Sequence, residues 1–167
     1  DTILSSHPKI NVIEEKPMVL KMVDKIKNKD LYSLKNINIV EIKSLQKEYL
    51  MELSKYINVE NKSNLYIDKL PLNLIEVAFI KRVFPQSKFI LMLRHPCDTV
   101  LSCFMSDFKI NEGMASFYNL KDATILYNEV FSLWDQYLEV YDLAYHIVKY
   151  EEVVLNFDNT IKNEFLH

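Results

Sequence analysis

The feature that most constrains the fold is one segment, FPQSKFILMLRHPCDTVLSCF, at residues 84–104. The unbroken apolar run at 89–93 predicts a buried strand, and it ends directly at a charged residue, Arg94. Pro96 suits the first turn of a helix, because the N–H that proline lacks would have no partner there anyway. A second apolar run, which carries Ser102, follows on that helix. The segment therefore predicts a strand, a tight turn and a helix.

The same alternation of strands and helices continues along the chain. Strands are predicted at 9–13, 65–67, 89–93 and 144–148. Helices are predicted at 1–6, 17–28, 44–57 and 118–142, together with one that ends at 84, one that begins at 96 and one that begins at 151. Residues 29–42 are polar and rich in asparagine, and the alternation of Ile37, Ile39 and Ile42 predicts a loop with a weak strand. The whole pattern predicts one α/β domain over residues 1–167, with a mostly parallel sheet covered by helices.

The composition excludes several classes of protein. With 167 residues, 49% of them hydrophobic, and a net charge of −3, the chain can bury a core but lacks the basic field that recruits nucleic acid or an anionic membrane. No apolar run approaches the roughly 20 residues that a membrane span needs. Cys97 and Cys103 have neither metal nor redox spacing, and they are predicted to be buried or half-buried free thiols of a reducing compartment.

Glycine is nearly absent, since Gly113 is the single one. A loop that wraps a phosphate needs residues without a Cβ, and a nucleotide-binding α/β domain usually has several. The chain also opens at Asp1 rather than at methionine. We therefore expect the sequence to be truncated at its N-terminus, with a glycine-rich phosphate loop upstream, and to be inactive by itself.

Arg94 marks the candidate ligand site. Ligands of open parallel sheets bind at the carboxyl ends of strands, where helix N-termini also attract anions. A guanidinium there can bind a phosphate through two hydrogen bonds, and the hydroxyl of Ser102 can add a third. The residues alone leave an alternative open, namely an ion pair between Arg94 and an acid such as Asp98.

The segment RHPCDTVLS resembles the element of the sulfotransferase family that binds the 3′-phosphate of the donor, 3′-phosphoadenosine 5′-phosphosulfate. The longer stretch YIDKLPLNLIEVAFIKRVFPQSKFILMLRHPCDTVLSCF is similar to a segment of protein-tyrosine sulfotransferases and of bacterial sulfotransferases with tetratricopeptide repeats. ILSSHPKINVIEE resembles the region that follows their 5′-phosphosulfate loop, and VKYEEVV resembles their strand and turn near the adenine. These blocks occur in the family's order and cover most of the chain.

The resemblance implies a P-loop-NTPase-like three-layer α/β domain, truncated at its N-terminus. It also implies an enzyme that transfers a sulfuryl group in line from 3′-phosphoadenosine 5′-phosphosulfate, its co-substrate, to a hydroxyl acceptor without a metal. Protein tyrosine is the candidate acceptor, residues 109–118 are expected near it, and some relatives carry tetratricopeptide repeats upstream. The Lys-, Asn- and Ile-rich composition hints at a bacterial source, for which we expect a cytoplasmic location.

For donor binding, the resemblance assigns the 3′-phosphate to Arg94 and Ser102, which have the family's spacing. Tyr150, in VKYEEVV, is implied beside the adenine or ribose. The alternative for Tyr150 is a core or interface tyrosine. Trp134 lies on the apolar stripe of the long helix, and we expect it to pack in the core.

For catalysis, the resemblance implies Glu15 as the general base, since it lies seven residues after the proline of His-Pro. Lys69 is implied to neutralise charge on the bridging oxygen of the leaving group. The alternatives are a surface pair of Lys69 with Asp68, and solvated acids at Glu14 and Glu15, whose side chains we expect to point apart on an extended segment. Relatives often have glycine before the glutamate pair, where this chain has Ile13.

Two other functions stay open at the level of the sequence. One is a non-catalytic nucleotide-binding or scaffolding domain, which would be favoured if the parent chain also lacks the glycine-rich loop. The other is a P-loop kinase, which would require Mg²⁺-bound ATP and would have no use for Arg94 with Ser102.

Overall fold

The computed structural model describes residues 1–26, 31–57, 65–106 and 114–160. The chain divides into two compact units, Asp1–Ser87 and Lys88–His167. Within the described residues, each unit contains one pair of parallel strands. Strands therefore alternate with helices, and the predicted α/β class with parallel strands is confirmed.

The first unit presents two strands whose carboxyl ends coincide. In chain order its elements are α1 (Thr2–Ser5), β1 (Ile10–Glu14), α2 (Met18–Asp24), α3 (Leu31–Asn36), α4 (Ile39–Leu53), β2 (Leu65–Lys69), a 3₁₀ turn (Pro71–Leu74) and α5 (Val77–Val83). β1 and β2 run parallel, and their register pairs Ile10 with Leu65 and Glu14 with Lys69. The residues that end both strands, Glu14 and Lys69, consequently lie side by side.

The core of the first unit is built by three helices. Its buried apolar side chains come mainly from α2, α4 and α5: Val19, Met22, Val23, Ile37, Leu45, Phe79 and Val83. A second cluster packs Ile13 of β1 against Met18 and Leu53. Ile13 is the last but one residue of β1, so this cluster anchors the end of the strand that leads into Glu14 and Glu15.

The prediction of a loop with a weak strand at residues 29–42 is wrong for the part that the structure describes. α3 and α4 occupy it, and α4 begins five residues before Ser44, where the sequence predicted the helix to start. The reason is a capping box, in which Asn38 Oδ1 accepts hydrogen bonds from the N–H groups of Val40 and Glu41 at 2.9 and 3.0 Å. The Glu41 carboxylate in turn accepts from the Asn38 N–H at 2.9 Å. This reciprocal bonding starts the helix despite the alternating isoleucines.

The second unit repeats the arrangement of strands. Its elements are β3 (Lys88–Leu93), α6 (Pro96–Met105), a 3₁₀ turn (Met114–Tyr118), α7 (Leu120–Val140), β4 (Ala144–Lys149) and α8 (Tyr150–Leu155). β3 and β4 are parallel, with Lys88 opposite Ala144 and Leu93 opposite Lys149. The first residues beyond the ladder are therefore Arg94 on one strand and Tyr150 on the other.

Burial in the second unit confirms one prediction and corrects two. Trp134 is 3% exposed and its ring meets that of Tyr145 edge to face at 5.6 Å, so it is a core residue as expected. β3 is not buried on both faces, because Leu91 is buried whereas Ile90 and Met92 are about half exposed. The strand alternates between a more buried and a more exposed face. Cys103 is a half-buried free thiol, but Cys97, in the first turn of α6, is exposed.

Some expectations lie outside the described residues. Residues 109–113, the first half of the expected acceptor segment and the part that contains Gly113, belong to this group, whereas its second half forms the 3₁₀ turn before α7. Within the described ranges, no helix is long and apolar enough to cross a membrane. The three-layer arrangement and the single domain stay predictions.

Candidate functional site

The ammonium of Lys69 forms ion pairs with three carboxylates at the shared carboxyl end of β1 and β2. Its Nζ lies 3.1 Å from Glu15 Oε1, 3.5 Å from Asp1 Oδ2 and 3.7 Å from Glu14 Oε2. We call these four residues the lysine cluster. The structure thus brings the predicted base and the predicted cationic residue, 54 positions apart in the sequence, into hydrogen-bond contact.

Glu15 has an unusual backbone, with a φ of 54°. Among the described residues it is the one non-glycine residue at positive φ, a conformation that costs on the order of 1 kcal/mol for a residue with a Cβ. Its N–H donates to the Lys69 carbonyl at 2.7 Å, which holds this conformation. Backbone strain of this kind concentrates at functional sites.

The positive φ also overturns the expectation that Glu14 and Glu15 point apart. That expectation assumed an extended segment, in which neighbouring side chains alternate between faces. β1 ends at Glu14, and the left-handed conformation of Glu15 breaks the alternation. Both carboxylates consequently lie within ion-pair distance of Lys69.

Asp68 does not pair with Lys69, so that alternative is wrong. Its two carboxyl oxygens accept hydrogen bonds from the Tyr49 hydroxyl at 3.1 Å and from the Asn73 amide at 3.4 Å. Burial raises the pKa of Asp68 to about 6, although both hydrogen bonds oppose the shift. Burial, and then the charge of Asp68, raise the pKa of Tyr49, so the phenol remains a donor.

This network ties three elements together beneath the lysine cluster: Tyr49 belongs to α4, Asp68 to β2 and Asn73 to the 3₁₀ turn. It therefore fixes the backbone on both sides of Lys69. The side chain of Asn73 reaches back from this turn to the strand residue Asp68. The sequence analysis assigned no role to Tyr49.

Arg94 lies over an aromatic ring in the second unit. Its Cζ is 5.3 Å from the centroid of the Tyr150 ring, within the range of a cation–π contact. Tyr150 is 46% exposed and is therefore not a core tyrosine. Within the described part of the chain, Arg94 forms no salt bridge with Asp98, the alternative left open by the sequence. The structure brings together two of the three predicted donor-binding residues.

Glu151 closes the turn after β3. The backbone N–H of His95 donates to Glu151 Oε1 at 2.8 Å. This hydrogen bond is the main reason why the pKa of Glu151 lies below its ordinary value, and the positive charge of Arg94 adds to it. We call Arg94, His95, Tyr150 and Glu151 the arginine cluster. Sequence reasoning missed Glu151, whose only signal was its place as an acid in the first turn of a helix.

Ser102 lies on the exposed side of α6, and its carbonyl accepts a hydrogen bond from the Ser106 hydroxyl at 2.7 Å. Burial raises the pKa of the Cys103 thiol, and the charge of Arg94 opposes that shift. The Ser102 hydroxyl has no hydrogen-bond partner among the described residues.

The arginine cluster combines a guanidinium with an exposed aromatic ring, and a guanidinium can bind a phosphate through two hydrogen bonds. None of the described residues forms a group of three or more His, Cys, Asp or Glu side chains able to hold a metal ion. Each parallel strand pair therefore carries charged side chains at its carboxyl end, where open parallel sheets bind ligands.

The sequence model of the sulfotransferase family matches residues 1–163 of the chain. The chain therefore belongs to this family. Membership implies a transferase that moves a sulfuryl group to a hydroxyl-bearing acceptor. Members generally use 3′-phosphoadenosine 5′-phosphosulfate as co-substrate. No curated protein matches the chain.

Proposed function

We propose that the protein transfers the sulfuryl group of 3′-phosphoadenosine 5′-phosphosulfate to a protein tyrosine, with Glu15 as general base. The observation that carries this proposal is the 3.1 Å contact between Glu15 and Lys69. A proton acceptor and a cation are the two groups that sulfuryl transfer to a phenol requires from the protein. Their pairing at a strand end, with Glu15 held at positive φ, supports a built catalytic site.

In the proposed reaction, the Glu15 carboxylate accepts the proton of the acceptor hydroxyl as its oxygen bonds to sulfur. An ordinary phenol has a pKa near 10, so the proton moves only as the new bond forms. The bond between sulfur and the bridging oxygen breaks at the same time. The Lys69 ammonium stabilises the negative charge that develops on that oxygen, the role of preorganised cations at other leaving groups. The remaining carboxylates of the lysine cluster orient the ammonium.

Donor recognition is assigned to Arg94, Ser102 and Tyr150. The guanidinium binds the 3′-phosphate through two N–H groups, and the Ser102 hydroxyl donates a further hydrogen bond. The ring of Tyr150 lies beside the adenine or ribose. Two observations support this assignment. Arg94 lies over the Tyr150 ring, and Tyr150 is exposed, so a ligand can reach it. A 3′-phosphate site distinguishes this donor from ATP.

Calorimetry on the full-length protein tests the donor assignment, with 3′,5′-adenosine bisphosphate and ADP as ligands. We expect a strong preference for the bisphosphate in the wild type. Arg94→Ala should weaken bisphosphate binding about tenfold to a hundredfold, since hydrogen bonds to charged groups contribute roughly 1.5–3 kcal/mol. Lys88→Ala is the matched control, because it removes a positive charge from the other end of β3. Equal binding of both nucleotides would refute the donor assignment.

The alternative is a non-catalytic nucleotide-binding or scaffolding domain. It predicts the same bisphosphate preference but no sulfuryl transfer to any hydroxyl acceptor, and no effect of Glu15→Gln. Upstream tetratricopeptide repeats, metal independence and a bacterial cytoplasmic location stay predictions from the sequence.

A further inference from the structure

The chain segments that follow β3 and β4 remain in contact beyond the last residue pair of the two strands. That pair is Leu93 with Lys149. On the next residues, the Arg94 guanidinium covers the Tyr150 ring, and one residue later the His95 N–H donates to the carboxylate of Glu151. The proposed reaction uses Arg94 and Tyr150 but gives no role to Glu151.

Glu151 is placed differently from its neighbour Glu152, although both are acids in the first turn of α8. The Glu151 side chain reaches across to the turn after β3, where it accepts the His95 N–H at 2.8 Å. Glu152 instead pairs with Lys149 at 3.0 Å, and its side chain is 54% exposed. The difference makes Glu152 a matched control for Glu151.

The hydrogen bond constrains Arg94 from its C-terminal side. Leu93, before Arg94, is held by the ladder, and His95, after it, is held by Glu151. His95 is the residue before α6 and has non-helical φ and ψ, so no helical hydrogen bond would hold its N–H in place of Glu151. With both neighbours held, the backbone of Arg94 is fixed, and less conformational freedom is lost when its side chain binds a ligand.

We propose that Glu151 is a positioning residue for the 3′-phosphate of the donor: it holds the turn that presents Arg94. This inference rests on the proposed function, because it assumes that Arg94 binds that phosphate. The carboxylate acts as a hydrogen-bond acceptor for the His95 N–H rather than as a charge. An acceptor of the same shape without charge should therefore serve as well, and it would repel the phosphate less.

The test compares 3′,5′-adenosine bisphosphate with adenosine 5′-monophosphate by calorimetry on the full-length protein, because the two ligands differ at the 3′-phosphate. We expect Glu151→Ala to reduce the preference for the bisphosphate about fivefold to tenfold, the usual effect of one lost hydrogen bond. Glu151→Gln, whose amide oxygen still accepts, should bind as tightly as the wild type or more tightly. Glu152→Ala should keep the wild-type preference.

His95 provides an independent test from the donor side. His95→Pro removes the N–H while leaving Glu151 intact, and a proline is compatible with the φ of −48° at this position. We expect it to reproduce the loss of preference, whereas His95→Ala, which keeps the N–H, should not. In the double variant, Glu151→Ala should add nothing to His95→Pro, because both remove the same hydrogen bond. If Glu151→Ala does not fold, His95→Pro alone decides.

The outcomes separate this inference from the proposed function. If the wild type binds both ligands equally, the donor assignment and this inference fail together. If Arg94→Ala loses the preference while Glu151→Ala and His95→Pro retain it, only this inference is overturned. An equal loss of affinity for both ligands would also overturn it, because it would show a general structural role.

Discussion

Asp68 should make the fold less stable as the pH rises from about 4 to about 6. Its pKa is raised by burial from an ordinary value of 3.8 to about 6. Between these values the folded protein binds a proton that the unfolded chain has released. The stabilisation from protonated Asp68 is therefore complete below the unfolded pKa and is lost as the pH rises through the folded pKa.

The magnitude follows from the size of the pKa shift. A shift of roughly two units corresponds to about 3 kcal/mol at 1.36 kcal/mol per unit. Because the carboxyl group is only partly buried, solvent screening reduces this figure, and we expect a change of about 1–2 kcal/mol in the free energy of unfolding. The change should occur between pH 4 and pH 6.5 and level off above that range.

The assay is urea unfolding of the wild type and of Asp68→Asn at several pH values from 4 to 8. The asparagine is neutral throughout and can still meet Tyr49 and Asn73 with its amide. Subtracting its unfolding free energy removes the contribution of groups that titrate in both proteins. The difference should change by about 1–2 kcal/mol over this pH range in favour of the variant as the pH rises. A difference that does not vary with pH would refute the reasoning.

Two further predictions concern catalysis and the start of α4. Glu15→Gln should lower kcat for sulfuryl transfer about a hundredfold or more, as for other general bases. Glu48→Gln on α4 serves as the control and should leave kcat unchanged. An unchanged kcat in Glu15→Gln would rule out Glu15 as the base. Asn38→Ala removes the capping box and should lower the free energy of unfolding by about 1 kcal/mol. Ser44→Ala, inside the same helix, should have little effect on the free energy of unfolding. If chemical denaturation shows that Ser44→Ala destabilises the protein more than Asn38→Ala does, the observed helix start is contradicted.

The elements with a clear period were predictable from the sequence. The apolar run before Arg94 predicted a strand, and the apolar stripe that carries Trp134 predicted a long helix; the structure contains both. The sequence pattern did not reveal local hydrogen bonds that override a hydrophobic period. At Asn38 a reciprocal hydrogen bond with Glu41 starts a helix where alternating isoleucines had suggested a strand.

Contacts between distant segments were predictable only in part. The family resemblance implied Glu15 and Lys69 separately, but a local pattern contains no information about a hydrogen bond across 54 positions. The same holds for the hydrogen bond of His95 with Glu151, which spans 56 positions. Positive φ at Glu15 was also invisible, because glutamate has no preference for that conformation and is held in it by the Lys69 carbonyl.

Strand register links the core of each unit to its candidate site. A slip of one residue moves a parallel strand by roughly 3.3 Å and turns each of its side chains to the opposite face. Such a slip between β1 and β2 would separate Glu15 from Lys69, whose contact is 3.1 Å. Buried residues near the strand ends, Ile13 and Val148, oppose the slip, because it would expose apolar side chains that are 4% and 1% exposed. The free energy that the core gains from burial therefore also holds the proposed catalytic and phosphate-binding groups in place.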